Sequence, residues 1–250
     1  MRISVITVCL NSAATIRDTI ESVLAQDHSD IEHVVVDGVS RDTTMDIVRG
    51  YGSRIAHVVS EPDRGLYDAM NKGLRLASGE VVGYLNADDF LASADALSTV
   101  AGAVASGGID VVHGNLDFID RADGLRVTRR FRSRAFVPGD FRRGWHPAHP
   151  TFYARRDLLL RVGGFDERYR LAADVDLMMR IMEVERAPSV HLDQVLVKMR
   201  EGGLSNGSLR QVLRANLECY RAMRRAGLPV SWAYMIRKPL SKLRQLRPFG

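Results

Sequence analysis

Short apolar runs alternate with helix-forming segments through the first hundred residues, and this alternation constrains the fold more than any other feature. Four continuous runs rich in Val and Ile occupy residues 3–8, 31–37, 55–60 and 80–85. Runs of this kind are typical of strands that are covered on both faces of a sheet. Because each run is followed by a helical pattern, the sequence predicts an α/β protein with a mainly parallel sheet and helices on both faces.

The helices of this region carry recognisable start signals. Asn11 or Ser12 is expected to cap the first helix, and Asp42 or Thr43 is expected to cap the second. A third apolar stripe spans residues 66–77 and stops at a glycine. The connections between strands and helices are therefore predicted to be short.

The pattern changes after residue 105. Residues 111–119 and 125–131 predict an antiparallel pair of strands, and a further strand is predicted over residues 190–200. Helices are predicted from about Asp174 to Glu185 and over residues 207–226. We expect a smaller mixed region here, followed by C-terminal helices.

Charge is distributed unevenly along the chain. The whole sequence carries 35 Lys and Arg against 30 Asp and Glu, but residues 1–120 have a balance of −10 and residues 121–250 one of +15. The acidic half argues against a nucleic-acid partner and can hold a cation, whereas the basic half suits phosphates or an anionic membrane. The two cysteines have neither a disulfide framework nor zinc-site spacing, which favours a reducing cytoplasm.

Polar side chains follow the ends of the predicted strands. They are Asn11, Asp37, Asp63 and the adjacent pair Asp88 and Asp89. Because ligands bind beyond the carboxyl ends of parallel strands, we expect these groups to converge at one edge. Gathered carboxylates repel one another unless a cation or a donor-rich ligand lies among them. Asp88 and Asp89 therefore suit Mg²⁺ or Mn²⁺; alternatively, one of them caps a helix that begins near Ser93.

Several segments resemble the family 2 glycosyltransferases, bacterial enzymes of the GT-A fold, and within them the branch that assembles polysaccharides and glycolipids. The matching segments are SVITVCLNSAATIRDTIESVLAQ, EHVVVDGVSRDTT, SEPDRGLYDAMNKGLRLASGE, VVGYLNADD and HPTFYARRDLLLRVGGFDERYRLAADVDLMMRI. The resemblance covers roughly residues 3–200. It implies a GT-A-type, Rossmann-like sheet over residues 1–205, with a nucleotide-sugar half (1–105), an acceptor half (106–205) and a basic helical tail (206–250).

The resemblance also implies roles for individual residues. The nucleotide-sugar site would comprise Thr7, Asn11, Asp37, Asp63, Arg64 and Asp88. Asp37 matches the acid that hydrogen-bonds the base, and Arg64 would face the pyrophosphate. Asp88 matches the last acid of the family's D-x-D motif, which binds the diphosphate through Mg²⁺ or Mn²⁺, with Asp89 as a second metal ligand. Asn86 stands where that motif has its first acid.

The resemblance places the general base on the acceptor side. Asp174 matches the second acid of the family's E-D motif, and His149 matches a position near the acceptor and the diphosphate. Asp174 is also expected to cap the helix that begins there, and the two roles are compatible. Direct attack of an acceptor hydroxyl on the anomeric carbon inverts its configuration, so one base is sufficient.

We therefore expect an inverting, metal-dependent glycosyltransferase that uses a UDP-sugar, or alternatively a GDP- or dTDP-sugar, and a glycan or lipid-linked acceptor. The alternatives are a sugar-phosphate nucleotidyltransferase and an inactive scaffold that binds nucleotide sugars. The tail is expected to hold the enzyme on the inner, anionic face of the cell membrane. Its apolar stripe comprises Trp232, Met235, Ile236, Leu240 and Leu243, and basic residues interleave with them.

Overall fold

The structure is a computed structural model, and it describes residues 1–121, 124, 126–202, 209–232 and 234–235. Within these residues nine strands form one sheet, in the order β3-β2-β1-β4-β8-β6-β9-β5, with β7 paired to β6. The strands are β1 (Ile3–Cys9), β2 (Ile31–Asp37), β3 (His57–Ser60), β4 (Val81–Tyr84), β5 (Asp89–Leu91), β6 (Val111–Ile119), β7 (Val127–Phe131), β8 (Tyr153–Arg155) and β9 (Ser189–Arg200).

Eight α-helices accompany the sheet in the described parts of the chain. They are α1 (Ile16–Leu24), α2 (Thr44–Arg49), α3 (Leu66–Leu76), α4 (Ala96–Ala105), α5 (Asp140–Arg143), α6 (Arg156–Arg161), α7 (Ala173–Met179) and α8 (Leu209–Arg225). A π-helical turn, Arg180–Val184, continues α7, and short 3₁₀ turns occupy Gly52–Arg54 and His149–Thr151.

The parallel half of the sheet confirms the prediction from the apolar runs. Strands β3, β2, β1 and β4 are parallel neighbours, and every residue of β1 is buried. One apolar cluster packs α3 on the sheet, and another packs α1 and α2 on it. A first strand without a polar face is stable here because it lies between layers of helices.

The second half of the sheet has mixed directions, as predicted. Strand β8 runs antiparallel to β4 and to β6, and β6 forms the predicted antiparallel pair with β7. The long strand β9 runs parallel to β6 over most of its length. The chain is therefore an α/β protein with a curled, mostly parallel sheet.

Three of the predicted helix caps were wrong, two of them in the first hundred residues. Helix α1 is preceded by Thr15 rather than by Asn11 or Ser12, because residues 12–15 form a turn in which the carbonyl of Ser12 accepts from Thr15 and Ile16. Neither Asp88 nor Asp89 caps α4, since that helix begins only at Ala96. The N-cap of α2 is Thr43, one of the two predicted residues, but its side chain makes no cap hydrogen bond. The N–H of Thr44 donates instead to Asp42 Oδ1 at 3.0 Å.

The helix predicted from Asp174 to Glu185 also differs in detail. Helix α7 begins at Ala173 after Ala172, so Asp174 is its second residue and does not cap it. The α-helical hydrogen bonding changes to a π turn at Arg180. The guanidinium of Arg180 donates to the carbonyls of Val162 and Gly164, 2.5 and 2.7 Å away. This anchoring accompanies the change of helical pitch.

The predicted membrane-facing stripe of the tail lies mostly outside the described residues. Trp232 is exposed, with 66% of its surface accessible, but Met235 packs against the core beside the buried Tyr234. Ile236, Leu240 and Leu243 are not described. Within the described chain, none of the helices combines the length and the apolar character that crossing a bilayer requires.

Helix α3 lies so close to β1 that only glycine fits at one point of contact. A Cβ on Gly73 would lie 2.3 Å from Cγ2 of Ile6, and Ile6 is buried. This close approach sets the distance between α3 and the sheet.

We expect Gly73→Ala to lower the free energy of unfolding by about 1–3 kcal/mol, because the added methyl group overpacks the helix–sheet contact. Gly102→Ala is the matched control, since Gly102 also lies inside a helix but has no atom within 4 Å of an added Cβ. The control should gain about 0.5–1 kcal/mol from helix propensity. Urea unfolding of both variants measures the difference, and equal shifts would show that the contact does not limit packing.

Candidate active site

Asp37 lies at the carboxyl edge of the parallel strands, where the sheet register surrounds it with donors. Cys9 and Ser60 are its direct neighbours on β1 and β3. The carboxylate accepts from Ser60 Oγ at 2.7 Å, from the N–H of Ser40 at 3.0 Å, from the hydroxyl of Ser40, and more weakly from the Cys9 thiol at 3.6 Å. The side chain is completely buried. Protein donors therefore occupy the acceptor sites of this carboxylate.

The charge of Asp37 is stabilised by these donors. Burial alone would raise the pKa of this carboxyl, but the hydrogen bonds from Ser40 and Ser60 outweigh it and hold the pKa below its ordinary value. Ser40 and Ser60 were not singled out from the sequence. The three-residue spacing of Asp37 and Ser40, typical of a side-chain-capped turn, is the signal that would have found Ser40.

Asn11 and Asp63 join Asp37 at this edge. Asn11 has a left-handed backbone, with φ 51°. Its side-chain oxygen accepts the N–H of Arg41 at 2.8 Å, and its own N–H donates to Ser40. The carboxylate of Asp63 lies against Gly38, where a Cβ would be only 2.4 Å from Oδ2. These three predicted residues therefore lie in neighbouring loops at one edge of the sheet, with the Asp37 side chain buried.

The side chains of Thr7 and Arg64 do not share the placement of Asn11, Asp37 and Asp63. Thr7 is fully buried inside β1, and its hydroxyl pairs with His33 Nε2 at 3.0 Å. Arg64 is exposed, and its guanidinium bonds Asp68 and Glu167 at 3.0 and 2.9 Å. Thr7 thus packs inside the sheet next to this edge, whereas Arg64 links the carboxylates of Asp68 and Glu167 beside the edge.

Of the two acids that follow β4, Asp88 is partly exposed and Asp89 is buried. Asp88 keeps 33% of its side chain exposed, and Arg121 Nη1 lies 3.9 Å from its Oδ2. Asp89 begins β5 and is completely buried. One Asp89 oxygen accepts weakly from Asn86 at 3.4 Å, and the other has no partner among the described residues. Only Asp88 is accessible to a ligand in this conformation.

Two arginines that were not selected from the sequence lie beside Asp88. Arg200, the last residue of β9, donates to the Asp88 carbonyl at 2.8 Å and also pairs with Asp18. Arg121 is exposed at 60% of its side chain. Both come from the second half of the chain, so the pairing of β9 with β5 and β6 brings positive charge to the acidic edge.

Asp174 lies in the first turn of α7. Tyr67, from α3, donates its hydroxyl to Asp174 Oδ1 at 3.2 Å. The ring of Tyr67 stacks on Phe165 with centroids 5.3 Å apart. A carboxylate with a single protein donor and an aromatic wall can accept a proton, because its remaining lone pairs are free.

His149 lies in the same aromatic cluster. Its ring stacks on Tyr84 and meets Phe165 edge-on, each at 5.5 Å. Burial lowers the pKa of this imidazole, although the nearby Asp174 raises it in part, so the ring is neutral at pH 7. Its Nε2 is buried without a hydrogen-bond partner in the described structure. His149 and Asp174 therefore lie near enough for the charge of Asp174 to act on the imidazole, and the roles that the resemblance implies for them stay predictions.

In the described residues, no group of three or more His, Cys, Asp or Glu side chains is arranged to hold a metal by itself. Any cation at Asp88 would need further ligands from its substrate.

Comparison with known proteins places this chain in a family. The sequence model of "Glycosyl transferase family 2" matches residues 4–167. A "PGL/p-HBAD biosynthesis glycosyltransferase" of Mycobacterium tuberculosis is 33% identical over 208 residues, which cover 81% of this chain and 78% of the relative.

Solved structures match the fold. TarS of Staphylococcus aureus (residues 1–349), in complex with UDP-GlcNAc, aligns with a TM-score of 0.68 and 20% identity over 98% of this chain and 72% of TarS. The mannosyltransferase PcManGT of Pyrobaculum calidifontis, in complex with GDP-Man and Mn²⁺, aligns with a TM-score of 0.64 and 20% identity over 99% of this chain and 76% of that one.

The family model and the fold together define a glycosyltransferase of the GT-A fold. The chain belongs to glycosyltransferase family 2. The expectation from the sequence motifs is confirmed at this level, and the alternative of a sugar-phosphate nucleotidyltransferase was wrong.

We expect Asp37→Asn to lower the free energy of unfolding by about 1–3 kcal/mol at pH 7, because an amide cannot accept from all these donors. The folded pKa of Asp37 lies below its ordinary value of 3.8, so its contribution is present above about pH 4 and is lost as the pH falls through the folded pKa. Urea unfolding at pH 7 and pH 3 should show the gap between wild type and variant shrink in acid.

Asp46→Asn is the control for this measurement, because the Asp46 side chain is 76% exposed and makes only a long ion pair with Arg49. It should change stability by less than about 0.5 kcal/mol at either pH. A gap for Asp37→Asn that persists unchanged at pH 3 would contradict the ionic character of this network.

Proposed function

We propose that the protein is an inverting, metal-dependent glycosyltransferase that moves one sugar from a nucleotide diphosphate to a glycan or lipid-linked acceptor in cell-surface polysaccharide or glycolipid assembly. The placement of Asp174 carries this proposal: it is a half-buried carboxylate with one side-chain donor among the described residues, Tyr67, whose ring stacks on Phe165. UDP is the favoured carrier, with GDP and dTDP as alternatives. TarS binding UDP-GlcNAc and PcManGT binding GDP-Man both support a nucleotide-sugar donor.

The nucleotide side of the proposed site is the edge formed by Asn11, Asp37 and Asp63. An N–H of the base reaches Asp37 only after the Ser40 hydroxyl turns away, because that hydroxyl now bonds the carboxylate. We therefore propose that Asp37 orders the turn that contains Ser40, on the side of the site that would bind the base. Thr7 supports this edge from inside the sheet, and Arg64 borders it.

The donor atoms near β4 fit a hard divalent cation in part. Asp88 has an accessible carboxylate, and Mg²⁺ and Mn²⁺ sites of this type use one or two carboxylates together with substrate phosphates. Asp88 would hold the ion, whereas the buried Asp89 would not reach it without a rearrangement of β5. When bound, such an ion acts as a Lewis acid that neutralises the leaving diphosphate. Arg121 adds positive charge at the same place.

The proposed reaction needs one base. An acceptor hydroxyl attacks the anomeric carbon, its proton passes to Asp174, and the bond from that carbon to the diphosphate oxygen breaks with its electron pair. The neutral His149 adds no competing positive charge beside the base. Holding acceptor and donor in line supplies much of the rate.

We further propose that the C-terminal part of the chain binds an anionic membrane, on the inner face of the cell membrane. Within the described residues the support comes from α8. Its exposed side chains include five arginines: Arg210, Arg214, Arg221, Arg224 and Arg225. The acid Glu218 of this helix is buried and accepts from the N–H of Leu171 at 2.8 Å. It also pairs with Arg214 at 3.3 Å, so the other four arginines carry the charge that this helix offers. Each basic residue near an anionic leaflet adds on the order of 1 kcal/mol.

We expect Asp174→Asn to reduce transfer by roughly 10²–10⁴-fold, because the amide keeps the shape but cannot accept the proton. Asp157→Asn is the matched control, since Asp157 lies in the first turn of α6 and is 75% exposed. Both variants lose a helix-end charge, but only the first loses the proposed base. Turnover of sugar from UDP-, GDP- and dTDP-linked donors, with a lipid extract as acceptor, measures the effect. Near-normal turnover in Asp174→Asn would eliminate the proposal.

A further inference from the structure

Tyr67 and Asp174 lie 107 residues apart in the sequence but are in contact in the folded chain. Tyr67 lies in the first turn of α3, on the nucleotide side of the chain, and Asp174 lies in the first turn of α7. The Tyr67 hydroxyl donates to Asp174 Oδ1 at 3.2 Å. In the described part of the molecule this is the only side-chain hydrogen bond that Asp174 makes.

The ring of Tyr67 is held rigidly. It is 8% exposed and stacks on Phe165 at 5.3 Å with an interplanar angle of 27°. Phe165 is itself fixed by Asn71, which lies one helical turn after Tyr67 on the same face of α3. Asn71 Oδ1 accepts the N–H of Phe165, and Asn71 Nδ2 donates to its carbonyl, both at 2.9 Å.

The Tyr67 hydroxyl remains a donor at every pH at which the enzyme would work. Burial raises the pKa of Tyr67 well above its ordinary value, and the adjacent charge of Asp174 raises it further. The phenol therefore stays protonated. The other titratable side chains in this aromatic cluster are His149, whose pKa is lowered by burial, and Tyr84, whose pKa is raised by burial. Among the described residues, neither of them donates a hydrogen bond to Asp174.

We propose that Tyr67 is a positioning residue for the reaction: it fixes one oxygen of Asp174 so that the other faces the acceptor hydroxyl. This inference rests on the proposed function, in which Asp174 is the base. An aspartate side chain at a helix end can rotate about two bonds. A base that is held in the reactive orientation is far more effective than a base that rotates among several orientations. Tyr67 acts through Asp174 and needs no contact with the sugar.

The test is Tyr67→Phe, which keeps the ring on Phe165 and removes only the hydroxyl. We expect kcat to fall between about 10- and 100-fold, because the base loses its fixed orientation. The KM for the donor and the dissociation constant for the nucleotide should stay within about twofold of wild type, since no group on the nucleotide edge changes.

Tyr51→Phe is the matched control, because Tyr51 is also buried and donates its hydroxyl to a carboxylate, Glu21 Oε1, at 3.0 Å. It should leave kcat unchanged. Both variants should be compared with wild type by thermal unfolding. An unchanged kcat in Tyr67→Phe overturns the inference, and so does a loss of kcat that comes with weakened nucleotide binding or that Tyr51→Phe reproduces.

A third arm separates this inference from the proposed function. If Asp174→Asn retains wild-type turnover, the assignment of the base has failed and Tyr67 has nothing to position. If Asp174→Asn is inactive while Tyr67→Phe turns over normally, the base stands and only the role of Tyr67 is lost.

Discussion

The two hydrogen bonds between Asn71 and the backbone of Phe165 join the parts of the chain that the reaction must bring together. On one side of Asn71, helix α3 packs on β1 at the distance that Gly73 permits. On the other side, Phe165 lies in the segment that leads into α7 and the proposed base. Helix α3 therefore connects strand β1, on the nucleotide side, to the segment that precedes α7. The pairing of β4 with β8 joins the same two parts of the chain through the sheet.

The carboxylates around the site differ in how many donors each one meets, and this difference separates their roles. Asp37 is buried and saturated by serine and backbone donors, so it orders a turn and keeps its charge. Asp88 is partly exposed beside Arg121 and suits a cation and a diphosphate. Asp174 meets one hydroxyl and retains free lone pairs. In the proposed site, one type of side chain would thus supply structure, charge and basicity at three positions.

The sequence predicted what local periodicity and strand-end chemistry determine. The parallel strands follow from the apolar runs, and the hairpin of β6 and β7 follows from two strand patterns on either side of a turn. Strand β5 could not be predicted, because its three residues have no periodicity and pair with Met199 far along the chain. For the same reason the burial of Asp89 and the approach of Arg121 and Arg200 were missed. The contact of Tyr67 with Asp174 is likewise a product of tertiary packing.

In the proposed mechanism Asp88 acts on the nucleotide diphosphate and Asp174 acts on the acceptor hydroxyl, on two sides of one site. The most direct test is the dissociation constant of UDP, GDP and dTDP, measured by titration calorimetry with Mn²⁺ and with chelator, for wild type, Asp88→Ala and Asp174→Asn. We expect Mn²⁺ to tighten binding of one nucleotide in wild type and equally in Asp174→Asn, and to have no effect in Asp88→Ala. An undiminished Mn²⁺ effect in Asp88→Ala, or its loss in Asp174→Asn, would contradict this division.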